Sequence, residues 1–335
     1  MTGLVQLHHP EHGRRVAVVE GEQLRLLRTY RSIYDLAWAA IGARIRFPAM
    51  ALTALSTEAL PYDPIYRGES GWTFLPAFDH PDEPARCLVT GTGLTHKASA
   101  ANRQAMHEGE KGPVVITDSM RMYQWGLDGG RPAPGTVGVQ PEWFYKGHGT
   151  ILRAHGEPLE VPSYANDGGE EGEVAGVYLI DPTGQPRRVG FVVGNEFSDH
   201  VMEKQNYLYL APSKLRACAI GPELSVDADF RDVQGSVRIE RGDQAVWSHP
   251  IRTGEANMSH TVANLEHHHF KYAAHRRPGD IHIHFFGADA FSFGGGVVLE
   301  DGDVMAIELS GFGRALRNPI RIDRSPQGCV TVEPV

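Results

Sequence analysis

Three carboxylates in this sequence stand where metal chemistry could be built: Glu171 and Glu173 in the run GGEEGEVAGVYLI, and Glu196 in VGFVVGNEFSDH. Between the runs lies Asp181-Pro182-Thr183-Gly184-Gln185-Pro186, with proline second and glycine fourth. That turn chemistry predicts a hairpin whose strands are the flanking apolar runs. Alternate side chains of a strand share a face, so Glu171 and Glu173 project together with Ala175, Val177 and Leu179. Pairing Ile180 with Arg187 across the turn sets Glu171 opposite Glu196, and three acids converge. Like charges opposite one another destabilise a sheet, and a desolvated carboxylate is costly unless it is paired or bound to a metal. A hard divalent cation removes the conflict. Oxygen-only ligation suits Mg2+, with Mn2+ or Ca2+ as substitutes. The competing expectation is a solvated acidic face that begins at Asp167 and includes Glu170, and a one-residue slip would send Glu196 to the other face.

The chain of 335 residues, 41% hydrophobic, can bury a substantial core and is long enough for one large domain and a smaller one. Its formal net charge of -9 and the lack of a basic stripe argue against nonspecific binding to nucleic acid or to an anionic membrane. The opening MTGLVQLHHPEHGRR has no apolar core of signal-peptide length and no apolar run approaches a membrane span, so the expected location is the cytoplasm. Cys87, Cys218 and Cys329 are widely spaced and form no metal or redox pattern, which fits reduced thiols.

The elements that must position the acids divide at about residue 85. Residues 1–85 hold a short strand, Arg15 to Val19, and a helix from about Ser32 to Ile45, and they read as a smaller N-terminal domain. Residues 86–335 show many short apolar runs punctuated by Gly, Pro and Asp, with helices near Ser119 to Leu127 and His200 to Tyr209. This is a mainly β, α+β catalytic domain.

Read in order, PEWFYKGHGTIL (141–152), Glu171-x-Glu173, Asn195-Glu196-Phe197-Ser198, Lys214 before Gly221-Pro222, and LEDGDVMAIELSGFGRALRNP (299–319) resemble the fumarylacetoacetate hydrolase superfamily. The resemblance implies a mixed β-roll in which Glu171, Glu173 and Glu196 hold Mg2+, with glutamate at 196 where the family commonly has aspartate. It also implies a homodimer, and a lysine at 214 aimed at the metal. Lys214 is the first candidate base, and His148 or a water held by Glu142 is the candidate acid; Lys146, Ser99, His96, Asn195 and Ser198 are expected to contact the substrate.

Hydrolytic members usually carry a His and a Glu in a lid stretch to activate water, and here Ser99 and Asn102 stand at those positions. Without a base, attack by water loses a factor of about 10²–10⁴. Ala288 likewise replaces a family Thr that binds the substrate carboxylate. The segments GLTHKASA, FYKGHGTIL, GNEFSDHVMEKQNYLYLAPSKLR and NLEHHHFKY resemble the sugar-acid branch, associated with arabinose-type catabolism, and that match extends over nearly the whole chain. The expected activity is therefore Mg2+-dependent dehydration of a 2-keto-3-deoxy sugar acid. Alternatives are carbon–carbon hydrolysis of an acylpyruvate or 2,4-diketo acid, decarboxylation or keto-enol isomerisation of an oxaloacetate-like acid, and a non-catalytic ligand-binding protein of the same fold. Of the 17 histidines, consecutive His267, His268 and His269 cannot all face one ion. His282 and His284 could share a strand face, and they are expected to line a pocket or pack rather than bind zinc.

Overall fold

The computed structural model describes residues 2–101 and 116–335. Its larger sheet has twelve strands. Ten of them run in the spatial order Leu55–Pro61, Gln23–Leu27, Gly13–Glu20, Gly3–His9, Cys218–Ser225, Pro186–Asn195, Gly172–Ile180, Ile281–Phe285, Cys87–Gly91 and Phe144–His148. Pairing along this path is antiparallel except between Ile281–Phe285 and Cys87–Gly91. A five-stranded sheet follows the order Gln244–Thr253, Val233–Arg241, Val304–Leu309, Leu316–Ile322 and Leu159–Val161.

The hairpin at 172–195 lies between two cores. Val174 and Val193 pack with Val237, Ile307 and Leu316 of the smaller sheet. Ala175, Val177, Leu179 and Val192 pack on the other side with Ile33, Leu36 and Ala40 of the helix Ile33–Ala43. Burial on both faces explains why the sequence of Gly172–Ile180 is continuously apolar after its acids. The helix itself starts where Ser32 caps it, accepting from the backbone N–H of Asp35, and stops at Arg44 in the left-handed conformation. Helices also form at Asp118–Gly129 and His200–Gln205, as the patterns predict.

The sheet does not break at residue 85. Gly3 pairs with Ser225 and Leu4 with Leu224, so the N-terminal strands are hydrogen-bonded into the sheet that carries the acids.

At its turn the hairpin is one residue away from the expected register. Ile180 faces Pro186 and Leu179 faces Arg187. The Asp181 carboxylate accepts from the N–H groups of Thr183 and Gln185 at 2.8 and 3.0 Å, and Gly184 takes φ 79°, which together tighten the turn. A bulge beside Val177 and Tyr178 then inserts one residue, so that Gly172 faces Asn195. The backbone N–H of Glu196 donates to the carbonyl of Glu171 at 2.9 Å. The predicted pairing of the two acids is therefore reached through the bulge, which also returns Glu196 to the face of Glu171 and Glu173.

Gly194, opposite Glu173, has no room for a side chain: a Cβ there would lie 2.4 Å from Cε1 of Phe285. Gly194→Ala is expected to destabilise the protein by about 1–3 kcal/mol through overpacking, read as a lower urea midpoint at unchanged slope.

Candidate metal centre and active site

The hairpin brings together what its sequence promised. Glu171, Glu173 and Glu196 are all buried, and one carboxylate oxygen from each lies within 4.8 Å of the others. All three donors are hard anionic oxygens, the set that suits Mg2+ and leaves positions open for water and substrate. Glu173 is held by the backbone N–H of Gly287, 2.7 Å from its Oε2. Glycine is required there, because the residue takes φ 97° and a Cβ would sit 2.1 Å from the Thr95 hydroxyl oxygen. Burial, followed by the charges of Glu196 and Glu171, pushes the Glu173 carboxyl well above the usual range.

Two buried ammonium groups oppose these charges. Lys214 Nζ donates to Glu171 Oε1 and Glu196 Oε2, both at 2.6 Å, and to Ser198 Oγ at 2.9 Å, with the Phe144 ring 5.1 Å away. Lys146 Nζ lies 2.5 Å from Glu196 Oε1 and donates to the carbonyls of Phe197 and Lys214 at 2.6 and 3.0 Å. Glu196 is thus held on both oxygens, each by a different lysine. Glu142 is buried and accepts from the Tyr207 hydroxyl. Glu142 stands two residues before Phe144, and Tyr207 begins the short 3-10 turn that leads into the helix Leu210–Lys214.

Other expected contacts go elsewhere. Lys146 has its donors directed to Glu196 and two carbonyls. Asn195 points away from Glu196: its amide oxygen accepts from the Glu171 N–H at 3.3 Å and its nitrogen contacts Met305 Sδ. Ser198 joins the cluster by bonding to the Glu196 carbonyl and carboxylate. His148 is exposed and bonded to Thr150, because Gly147 at φ 150° and an irregular pairing with Cys87–Gly91 turn it outward from the face of Lys146. His96 is buried between the hydroxyls of Thr95 and Thr253, and burial lowers its pKa to about 4. Ser99 is buried one helical turn later, and Asn102 lies outside the described residues. His284 bonds Thr90 and Thr92, and His282 bonds His269. The solvated acidic face does not form, since Glu170 is fully buried.

His200 was not anticipated. Its Nε2 lies 3.0 Å from Glu171 Oε1. Burial opposes its charging, but the hydrogen bond and charge of Glu171 outweigh that and hold its pKa above the usual value. A histidine four residues after Glu196 at the start of a predicted helix was the available signal.

No family model matches the chain. A probable 2-keto-3-deoxyxylonate dehydratase of Haloferax volcanii is 35% identical over 72 residues, 20% of this chain; the chain spans only 25% of that relative's length. A solved 2-keto-3-deoxyarabinonate dehydratase superposes with a TM-score of 0.71 at 17% identity, over 96% of this chain and 100% of that one. A 2-keto-3-deoxy-D-arabinonate dehydratase complexed with magnesium and 2,5-dioxopentanoate gives 0.70 at 17% identity and the same coverage. The chain has the fold of these enzymes. The 2-hydroxyhepta-2,4-diene-1,7-dioate isomerase of Mycobacterium marinum shares it more distantly, with a TM-score of 0.58 at 17% identity over 97% of this chain and 100% of that one. The expected α+β roll is therefore the observed one. Among the described residues no helix is long and apolar enough to cross a membrane.

The raised pKa of Glu173 gives a signed prediction. A carboxyl raised above its usual range stays protonated to higher pH, and a cation requires the carboxylate, so binding must expel a proton. Mg2+ affinity is expected to strengthen as pH rises, with a calorimetric heat that depends on the ionisation enthalpy of the buffer. A heat independent of the buffer would contradict this assignment.

Proposed function

We propose that this protein is a Mg2+-dependent lyase that removes water from a 2-keto-3-deoxy sugar acid, a 2-keto-3-deoxypentonate such as 2-keto-3-deoxy-L-arabonate, giving 2,5-dioxopentanoate. Mn2+ is the expected substitute metal. The observation that carries this reading is the charge balance of the buried cluster: three carboxylates face two ammonium groups. A divalent cation turns that deficit into an excess of one positive charge, which a monoanionic 2-keto acid neutralises. The sugar acids named for the Haloferax relative and the two dehydratase structures have this chemistry.

Bound Mg2+ supplies Lewis acidity that polarises the C2 carbonyl and acidifies the C3 protons. The chain's own groups do the rest. The Lys214 ammonium, held by Glu171, Glu196 and Ser198, offsets the negative charge that develops as the C3 proton is lost, and its burial beside Phe144 keeps bulk water from screening that charge. Glu142, with the Tyr207 hydroxyl, stands as the group that assists departure of the C4 hydroxyl. Loss of one C3 proton and the C4 hydroxyl is loss of one water, and tautomerisation then gives the dioxo acid. His148 has no part, because it faces solvent. A carbon–carbon hydrolase would need a base in the lid, but Ser99 holds one of those positions, and His96 is engaged by two threonines. The homodimer implied by the resemblance belongs to this proposal and is read by light scattering.

Lys214→Met is expected to lower kcat by about 10²–10⁴, Glu173→Ala to abolish Mg2+-dependent turnover, and His148→Ala to leave it at the parental level. A folded Glu173→Ala protein that dehydrated the sugar acid at the parental rate would sink the proposal.

A further inference from the structure

Glu170 and Glu171 are neighbours in sequence with opposite destinations. Glu171 turns into the acidic cluster. Glu170, equally buried, turns the other way and clamps Ser292: its Oε1 accepts the Ser292 N–H at 2.6 Å and its Oε2 the Ser292 hydroxyl at 2.7 Å. The residues on either side of Ser292 hold His200. Phe291 stacks on the imidazole with centroids 4.8 Å apart and planes 13° from parallel, and Phe293 lies at 5.2 Å and 32°. Gly169 completes the seat, because a Cβ there would meet His200 Nδ1 at 2.4 Å. Reciprocal backbone bonds between Gly169 and Ser198 tie this edge to the loop after Glu196.

We propose that Glu170, the Phe291–Phe293 segment and His200 form a device that aims the Glu171 carboxylate at the cation, with His200 a positioning residue and not a ligand. The inference rests on the reading of Glu171, Glu173 and Glu196 as a cation site. Lys214 serves three acceptors on two glutamates and a serine, so it neutralises Glu171 without fixing the plane of its carboxylate. The Nε2–H of His200 is directed at a single oxygen from a ring whose plane is set by Phe291. Outer partners of this kind orient a ligand before the ion arrives and reduce the ordering cost of binding.

The test is calorimetric titration of the full chain with MgCl2, with the melting temperature of each metal-free variant recorded alongside. His200→Asn places its amide too short to reach Glu171 and is expected to weaken Mg2+ binding by about 10- to 100-fold. His200→Gln carries an N–H the same number of bonds from the backbone as His Nε2 and is expected to recover most of that loss. Phe291→Leu keeps apolar bulk but loses the flat face; it is expected to weaken binding less than His200→Asn and provides the comparison if the Asn variant does not fold. A purely structural role would lower the melting temperature of His200→Asn and His200→Gln alike while leaving the Mg2+ dissociation constant unchanged, and that result would overturn the inference. Glu173→Ala separates the two levels: if it binds Mg2+ like the parent, the cation site itself is wrong; if it loses binding while His200→Asn and Phe291→Leu retain it, only the positioning device is wrong.

Discussion

Three carboxylates share one buried place in this protein, and the rest of the site is arranged around the cost of keeping them there. Bringing one anion out of water is unfavourable, and bringing three to within 4.8 Å of each other adds their mutual repulsion. The chain answers with Lys146 and Lys214, each fully buried and each on a different oxygen of Glu196. It adds a backbone N–H for Glu173 and an imidazole for Glu171. These contacts soften the conflict without removing it, and a divalent cation that displaces the proton from Glu173 lets all three carboxylates ionise together. Replacing the acids with apolar residues would suit the hydrophobic neighbours of the hairpin better, so their presence is a functional feature rather than one the fold needs.

The sheet turns that electrostatic constraint into geometry. A tight turn at Asp181–Gln185 sets one register and the bulge beside Val177 sets another, so Glu196 lands beside Glu171 instead of across the sheet from it. Packing on both faces of the hairpin leaves its backbone little freedom, and the acids inherit that rigidity. The lysines come from separate elements, the strand Phe144–His148 and the helix Leu210–Lys214, so the site forms only when these parts have docked.

Much of this was legible in the sequence because it is local. The hairpin, the facing of Glu171 with Glu173, and the helix after Ser32 follow from period and turn chemistry within a few residues. Lys214 was legible only through family resemblance, since a lone lysine carries no local sign of burial. Other parts depend on partners far along the chain. Glu170 looked like part of a solvated run because its partner, Ser292, is 122 residues away. His148 is a candidate acid by its sequence, yet the freedom of Gly147 at φ 150° turns it outward. Asn195 ends its strand and Glu196 follows it; the Asn195 amide goes to the Glu171 N–H and Met305 while the Glu196 carboxylate meets the lysines, so only Glu196 brings a carboxylate to the cluster. The partners of Lys146 were not legible either, because Glu196 and the carbonyls of Phe197 and Lys214 lie about 50 to 70 residues further along the chain.

The most direct test of the central claim is a mass-spectrometric product assay on metal-stripped protein, with and without added Mg2+. The substrates are both enantiomers of 2-keto-3-deoxypentonate and an acylpyruvate. The account predicts loss of one water from a pentonate only when Mg2+ is present, with the acylpyruvate left intact. Splitting of the acylpyruvate with gain of water, while both pentonates remain unchanged, would contradict it.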